Sequence, residues 1–395
     1  MTPREVHIIG AGPSGLTAAL TLARNGVKTV VFEKAHDAGA RFIGDYQGLE
    51  NWSTEEDVLD FLASLGVAVN FRCVPYTAGT FYGPASDRFD VRAARPWFYL
   101  VERGVGPESL DQGLKRQALE AGAEIRFGRK VTHAEAERVI VATGPRAADA
   151  IARGVVFETS HPDACFGFLD DRLAPRAYAY LLIQAGRATL ATCLYDDFRH
   201  AQTYFERALT TIRSVVDFDV RSPQTFGGYI NFDVRPSWTR GDRLYFVGER
   251  AGFQDALWGF GLRYAMLSGF LAAHAILEDE DYDALCRQRI VPRIETSLAN
   301  RLLFSQLGNH GYLWVLRRLA GRDVTASLRR HYEPSRPKRL LYEIARRQIH
   351  PHLRETACRQ ESCACLWCEH GKRVHTAAMD RCVADVTTPP SGLNA

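Results

Sequence analysis

The chain has 395 residues, 46% of them hydrophobic, and its 49 basic and 46 acidic side chains leave a formal net charge of +3. This length can bury a large core in one large or two interleaved domains, and so slight a charge excess excludes a nucleic-acid partner held by overall charge. No apolar run is long enough to span a bilayer, and a strand pattern begins almost at Met1; the sequence therefore predicts neither a signal peptide nor a membrane span, and a cytoplasmic location.

The first element is the apolar run Val6-His7-Ile8-Ile9, which ends in Gly10-Ala11-Gly12-Pro13-Ser14-Gly15 and passes into a helical pattern over 14–25. Gly-x-Gly-x-x-Gly between a strand and a helix is a dinucleotide-phosphate cradle. Gly10 permits the tight turn, Gly12 lets the backbone approach a pyrophosphate, and Gly15 lets the helix pack closely on the strand. Pro13 and Ser14 open that helix, whose free N–H groups and dipole favour an anion by up to ~2 kcal/mol. A second strand, Thr29-Val30-Val31-Phe32, ends in Glu33, about 20 residues past the glycines, where an acid hydrogen-bonds an adenosine ribose. A carboxylate there argues against a 2′-phosphate, and hence against NADP as the ligand held at this site. Lys34 belongs to the same cofactor-facing turn, and Arg41 in the next loop is a phosphate contact or an ordinary solvated arginine.

Apolar positions at helical spacing predict a helix over 54–65, started by a Ser53/Thr54 cap, and two or three strands follow between 67 and 101. Pro107-Glu108-Ser109-Leu110-Asp111 opens a helix to Ala121. A strand Glu124–Phe127 comes next, then the strand Arg138-Val139-Ile140-Val141 running into Ala142-Thr143-Gly144-Pro145.

A leading Gly-x-Gly-x-x-Gly, a central helix opened by Ser109-Leu110-Asp111 and a late Val139-Ile140-Val141-Ala142-Thr143-Gly144 strand together resemble the FAD-dependent two-domain fold of flavin aromatic hydroxylases, lycopene cyclases and geranylgeranyl reductases. The resemblance covers roughly residues 1–300 and implies FAD as cofactor, with Thr143 and Gly144 where the chain returns to the FAD domain. Pro175-Arg176-Ala177-Tyr178-Ala179-Tyr180 is similar to the Pro-x-x-Tyr-x-Trp-x-Phe-Pro motif bordering the prenyl cavity of geranylgeranyl reductases. Tyr180 replaces the tryptophan, and Leu182-Ile183 replace the final Phe-Pro. Tyr178 and Tyr180 are the candidate catalytic residues through that motif, with packing aromatics the alternative. Gly248-Glu249-Arg250-Ala251-Gly252 occupies the place of an element that contacts the FAD ribityl and phosphate groups, with Glu249 where the family has Asp. The turn Gly259-Phe260-Gly261-Leu262 then starts a helix that the resemblance aims at the flavin pyrimidine ring, where backbone N–H groups stabilise the reduced ring's charge.

The implied fold is α/β: a Rossmann-type FAD-binding domain (1–70, 101–154 and 241–280) interleaved with a mixed β-sheet substrate domain (71–100 and 155–240) and followed by a helical C-terminal region. Residues 177–184 and 187–194 alternate as a hairpin, and 198–216 reads as an amphipathic helix. Helical pattern continues from 262 to about 350. The 281–353 region is strongly basic, with ten Lys/Arg between 317 and 347, which fits either a solvated face or peripheral contact with an anionic membrane or acidic electron donor. Cys73, Cys165, Cys193 and Cys286 stand singly and read as small buried residues. In the tail 354–395, Cys358, Cys363, Cys365 and Cys368 crowd together with His370, a density that suits zinc or an iron–sulfur cluster.

Only one nucleotide fingerprint is present, so NAD(P)H as reductant has to approach transiently or give way to an electron-carrier protein. The Trp-x-Trp-x-Ile-Pro motif of flavin halogenases is absent. So is the cysteine that archaeal prenyl reductases carry after the second strand, where Gly39-Ala40-Arg41-Phe42 stands here. The expectation is an FAD-dependent oxidoreductase acting on a small apolar substrate of the isoprenoid class beside the 175–195 hairpin. NAD(P)H-dependent aromatic hydroxylation is the first alternative, and a membrane-associated electron-transfer flavoprotein with a metal-binding tail the second.

Overall fold

The computed structural model describes residues 3–131, 134–145, 148–232 and 234–348. The fingerprint strand Glu5–Ile9 sits at the centre of a six-stranded sheet, flanked in parallel by Lys28–Phe32 and Arg138–Val141. Glu124–Arg126 extends it on one side; Leu244–Phe246 and then the antiparallel Thr239–Arg240 extend it on the other. The inner strands Glu-Val-His-Ile-Ile, Lys-Thr-Val-Val-Phe and Arg-Val-Ile-Val are nearly unbroken apolar runs, as parallel strands covered on both faces require. The helices Pro13–Arg24, Leu110–Glu120 and Leu262–Glu278 supply Leu16, Leu20, Leu114, Met266 and Leu271 to the core around them.

A seven-stranded sheet carries the second core. Its order is Arg221–Ile230, Ala150–Glu158, Arg187–Leu194, Ala179–Gln184, Ala164–Phe168, Ala78–Tyr82, Arg88–Arg92, antiparallel except where Ala164–Phe168 meets Ala78–Tyr82. Period-two alternation sorts the hairpin. Ala179, Leu181 and Ile183 point toward the helix Ala201–Val215 and pack with its Phe205, Leu209 and Ile212. Tyr180 and Leu182 point the opposite way, into a cavity. Residues 71–100 divide between two sheets, because Cys73–Tyr76 and Phe98–Glu102 pair with Tyr46–Glu50 in a separate three-stranded sheet while Ala78–Tyr82 and Arg88–Arg92 join the large one.

Two local expectations shift. The helix expected from residue 54 is Val58–Ser64, capped by Asp57, whose side chain accepts from Leu59 N at 2.9 Å. Ser53 is unavailable as a cap because its hydroxyl donates to Glu50 Oε1 at 2.7 Å. The long helical stretch after 262 is broken into Leu262–Glu278, Tyr282–Arg289, Val291–Phe304, Gly308–Leu319, Val324–Tyr332 and Arg336–Gln348. No helix among the described residues is long and apolar enough to cross a membrane. Cys358, Cys363, Cys365 and Cys368 lie outside the described residues, among which no cluster of His, Cys, Asp or Glu could hold a metal ion.

Candidate functional site

A continuous cavity of about 860 Å³ runs from the fingerprint turn to the C-terminal helices. At its first end the three glycines have different reasons to lack a side chain. Gly10 has φ of +110°, and a Cβ there would lie 2.4 Å from the Ala142 carbonyl oxygen; one at Gly15 would lie 2.0 Å from Gly10 O. A Cβ at Gly12 would meet no protein atom within 4 Å. Gly10 and Gly15 are thus demanded by the chain itself, whereas the space beside Gly12 belongs to the cavity. The N–H groups of Gly12, Ser14 and Gly15 have no acceptor among the described residues, which is what an anion seated on this turn requires. Glu33 is pinned against the turn: Oε2 accepts from Ala11 N at 2.8 Å and Oε1 from Ala35 N at 2.9 Å. Each oxygen keeps a lone pair for a ribose hydroxyl. Lys34 is exposed on the cavity rim.

The middle of the cavity holds a charge network that sequence spacing does not reveal. Arg103 and Asp111 form a buried two-point ion pair, Nε to Oδ2 and Nη2 to Oδ1, both at 2.8 Å. Gly104 N adds a third bond to the same carboxylate at 3.0 Å, and Arg103 Nη1 donates to Gln47 Oε1 at 2.8 Å. Burial pulls the Arg103 guanidinium down, but the Asp111 carboxylate overrides it and holds the guanidinium above its ordinary value. Arg41 and Arg103 both stack on Phe42, at 4.4 and 4.1 Å from the ring centre. Arg41 Nη2 also lies 4.0 Å from Glu249 Oε2, and Thr143 and Gly144 line the same wall. Burial raises the Glu249 carboxyl above its usual range, against the pull of Arg41 and Arg103. Gly248 stands behind the wall, where a Cβ would lie 2.7 Å from Ser14 Oγ.

The turn Trp258–Gly261, before the helix Leu262–Glu278, is oriented by side chains from three directions. Tyr178 OH donates to the Trp258 carbonyl, Gln254 Nε2 to the Gly259 carbonyl at 2.5 Å, and Asp255 N to the Phe260 carbonyl at 3.3 Å. Asp255 Oδ2 accepts from Trp258 N at 2.6 Å. Every carbonyl of residues 258–260 is therefore tied back to protein. The N–H groups of Gly259, Phe260, Gly261 and Leu262, all cavity-lining residues, have no acceptor among the described residues. Such an arrangement can hold partial negative charge on a flat ring edge.

Tyr178 and Tyr180 both reach the cavity, with different duties. Tyr178 has committed its proton to the Trp258 carbonyl and packs edge-on against the Trp258 ring at 5.6 Å, so it supports the turn. Tyr180 OH has no hydrogen-bond partner among the described residues. Burial pushes both phenols well above their ordinary value, so each is a neutral donor and not a base. Cys165 and Cys193, which sequence alone gave no role, also line the cavity because strand alternation turns them inward.

Beyond the tyrosines the cavity becomes an apolar arm. Phe81, Val91 and Trp97 pack in one apolar cluster with Leu316, Val324 and Leu328 from the C-terminal helices, and all six line the cavity. Asp255, 1% exposed, closes the site from behind: Oδ1 accepts from Tyr332 OH at 2.8 Å. Burial raises its carboxyl from the usual range to about 6, in spite of the bonds from Trp258 N and Tyr332. The folded state thus favours protonated Asp255; that stability is fully present below the unfolded pKa and is lost as pH rises through about 6, up to about 3 kcal/mol. Thermal melts of cofactor-free protein are expected to fall between about pH 4 and pH 7 relative to Asp255→Asn. Parallel curves for the two proteins would show that Asp255 titrates normally.

The sequence profile of the NAD(P)-binding Rossmann-like domain family matches residues 8–44, the strand, turn and helix built around the three glycines. A thiamine thiazole synthase of Methanococcus maripaludis is 46% identical over 66 residues, 17% of this chain and 25% of that protein. A hydroxysqualene dehydroxylase of Sinorhizobium fredii is 31% identical over 98 residues, 24% of each chain. The chain thus spans about a quarter of the length of the curated relatives it matches. The solved structure of a geranylgeranyl bacteriochlorophyll reductase-like protein from Thermoplasma acidophilum superposes with a TM-score of 0.65 at 17% identity, covering 86% of this chain and 95% of that one. The chain shares the fold of that protein. Residues of the Gly10–Ser14 turn and of the large sheet line the same cavity.

Proposed function

We propose that this chain is an FAD-dependent oxidoreductase acting on an apolar substrate of the isoprenoid class. The observation that carries the reading is the single cavity that joins an anion-ready dinucleotide turn to an uncharged aromatic and aliphatic arm. Likeness in fold to the geranylgeranyl reductase-like protein and the partial match to a hydroxysqualene dehydroxylase support the substrate class. Bound FAD supplies the hydride or electron transfer. The chain's own residues do the rest. Gly12, Ser14 and Gly15 present N–H groups to the pyrophosphate, and Glu33 holds the ribose. Arg41 and Glu249 border the ribityl region, while the turn at Gly259–Leu262 presents donors to the ring edge. Phe81, Trp97, Leu316 and Leu328 exclude water around the substrate, and Tyr180 holds a proton at its hydroxyl over the cavity. Electrons reach the site from transiently bound NAD(P)H or from a carrier protein, since the cavity contains one fingerprint turn only.

Peripheral membrane contact belongs to the same reading. On the helix Arg336–Gln348, Leu340 and Ile344 are 71% and 49% exposed one turn apart, flanked by Arg336, Arg339 and Arg347. Each such cation contributes about 1 kcal/mol near an anionic surface. Zinc or an iron–sulfur cluster on Cys358, Cys363, Cys365 and Cys368 is likewise proposed from sequence alone.

One preparation tests the set. Purified protein is expected to release about one FAD per chain on denaturation, and polyprenols in micelles are expected to perturb the bound flavin's absorption while aromatic acids do not. A colourless protein, or one that responds only to aromatic acids or forms a hydroxylated product with NAD(P)H and oxygen, defeats the isoprenoid reading. Flotation with anionic and neutral vesicles, and zinc and iron content, decide the peripheral and metal proposals on the same material. Equal flotation in both lipids, or metal well below one equivalent, removes them.

A further inference from the structure

We propose that Asp255 and Tyr332 form a buried latch through which occupancy of the apolar arm sets the turn Trp258–Gly261; the inference rests on the FAD and apolar-arm reading above. Val324, Leu328 and Tyr332 follow one another at i, i+4 and i+8 on the helix Val324–Tyr332 and so share one face. The first two line the arm, and the third places its hydroxyl 2.8 Å from Asp255 Oδ1. The other oxygen of that carboxylate holds Trp258 N at 2.6 Å. Arm wall and turn are thus joined by one short helix and one side chain, and both Asp255 and Tyr332 are 1% exposed.

The helix is held at both ends, its start tied by Thr325 Oγ1, which donates to the Arg95 carbonyl at 3.2 Å. Asp323 caps its start, accepting from Thr325 N at 2.9 Å, and Asn300 Nδ2 holds the His331 carbonyl at 2.7 Å near its end. A second contact runs in parallel: Trp52 packs edge-on against Tyr332 at 5.9 Å and against Phe260 at 4.7 Å, so the last residue of the helix presses on the turn by ring contact as well. A ligand that displaces Val324 and Leu328 strains this helix against the ties at both its ends and alters the bond between Tyr332 and Asp255. The donors at Gly259–Leu262 then shift relative to the ring they face. Asp255 and Tyr332 are positioning residues, since neither lines the cavity.

The test uses FAD-loaded full-length chain and squalene as the arm probe. In the unaltered protein squalene is expected to shift the flavin midpoint potential and its absorption. In Tyr332→Phe, FAD stoichiometry and squalene affinity are expected to hold within about threefold while the squalene-induced shift falls by about half or more. Asp255→Asn is expected to behave likewise, and it serves if Tyr332→Phe fails to fold. A full shift in folded Tyr332→Phe overturns the latch, as does an unaltered protein that binds both FAD and squalene without any shift. Failure of both variants to fold makes the pair a structural tie only and also overturns it. An unaltered protein that binds no FAD, or no squalene, defeats the functional reading instead, and the latch with it.

Discussion

Gly12→Val is expected to give a folded protein that no longer retains FAD. The backbone of Gly12 is extended, with φ of −81° and ψ of 177°, a conformation that valine adopts freely, and a Cβ there meets no protein atom within 4 Å. Nothing in the fold opposes the substitution. The branched side chain fills the space through which a pyrophosphate reaches the N–H groups of Gly12, Ser14 and Gly15, so an affinity loss of about 100-fold or more is expected, roughly 2.7 kcal/mol. Gly15→Ala provides the contrast: its methyl group would sit 2.0 Å from Gly10 O and force helix from strand, at about 1–3 kcal/mol of overpacking. Flavin content and the thermal midpoint separate the two. Stoichiometric FAD in Gly12→Val would falsify the cradle.

Asp111→Asn is expected to be the most destabilising single change at the site. It leaves the buried Arg103 guanidinium without its two-point carboxylate partner, with Gln47, the Phe42 face and the more distant Asp45 and Glu249 carboxylates around it, and removal of one partner from a buried pair costs about 3–5 kcal/mol. Both residues line the cavity, so flavin content should fall along with the melting temperature. The double variant Arg103→Met with Asp111→Leu should recover much of the stability, because it buries no lone charge, while leaving FAD binding impaired. Recovery of both properties would reduce the pair to scaffolding. A melt of Asp111→Asn unchanged from the unaltered protein would refute the pair's cost altogether.

What the sequence disclosed was local. Gly10, Gly12, Gly15 and Glu33 are legible because strand, turn, helix and second strand follow one another, and their spacing is itself the geometry of the cradle. Tyr180 and Leu182 were placed on the correct hairpin by alternation. The features that complete the site join distant parts of the chain: Gln47 meets Arg103, and Asp255 meets Tyr332. No periodicity marks such pairs before the sheets are assembled. Single spacing marks Cys165 and Cys193 only as small buried residues, and it is register that turns both toward the cavity. The arm wall from Val324 and Leu328 escaped notice because a basic helix was read for its charges and not for the apolar stripe between them. The misplaced cap at Ser53/Thr54 has a similar origin, since Asp57 competes for the role and Glu50 claims Ser53.

The tethered turn at Trp258–Gly261 bears on speed as well as on equilibrium. An electron that arrives at a site must wait for the surrounding dipoles to adjust, and the energy of that adjustment governs the rate of transfer. With the Trp258, Gly259 and Phe260 carbonyls already fastened to Tyr178, Gln254 and Asp255, the peptide dipoles of this turn point toward the cavity in advance. Little rearrangement is left for the moment of transfer. For a flavin held as proposed above, a low reorganisation energy follows at this face of the cavity, and the three tethers that would secure it are spread over two separate regions of the chain.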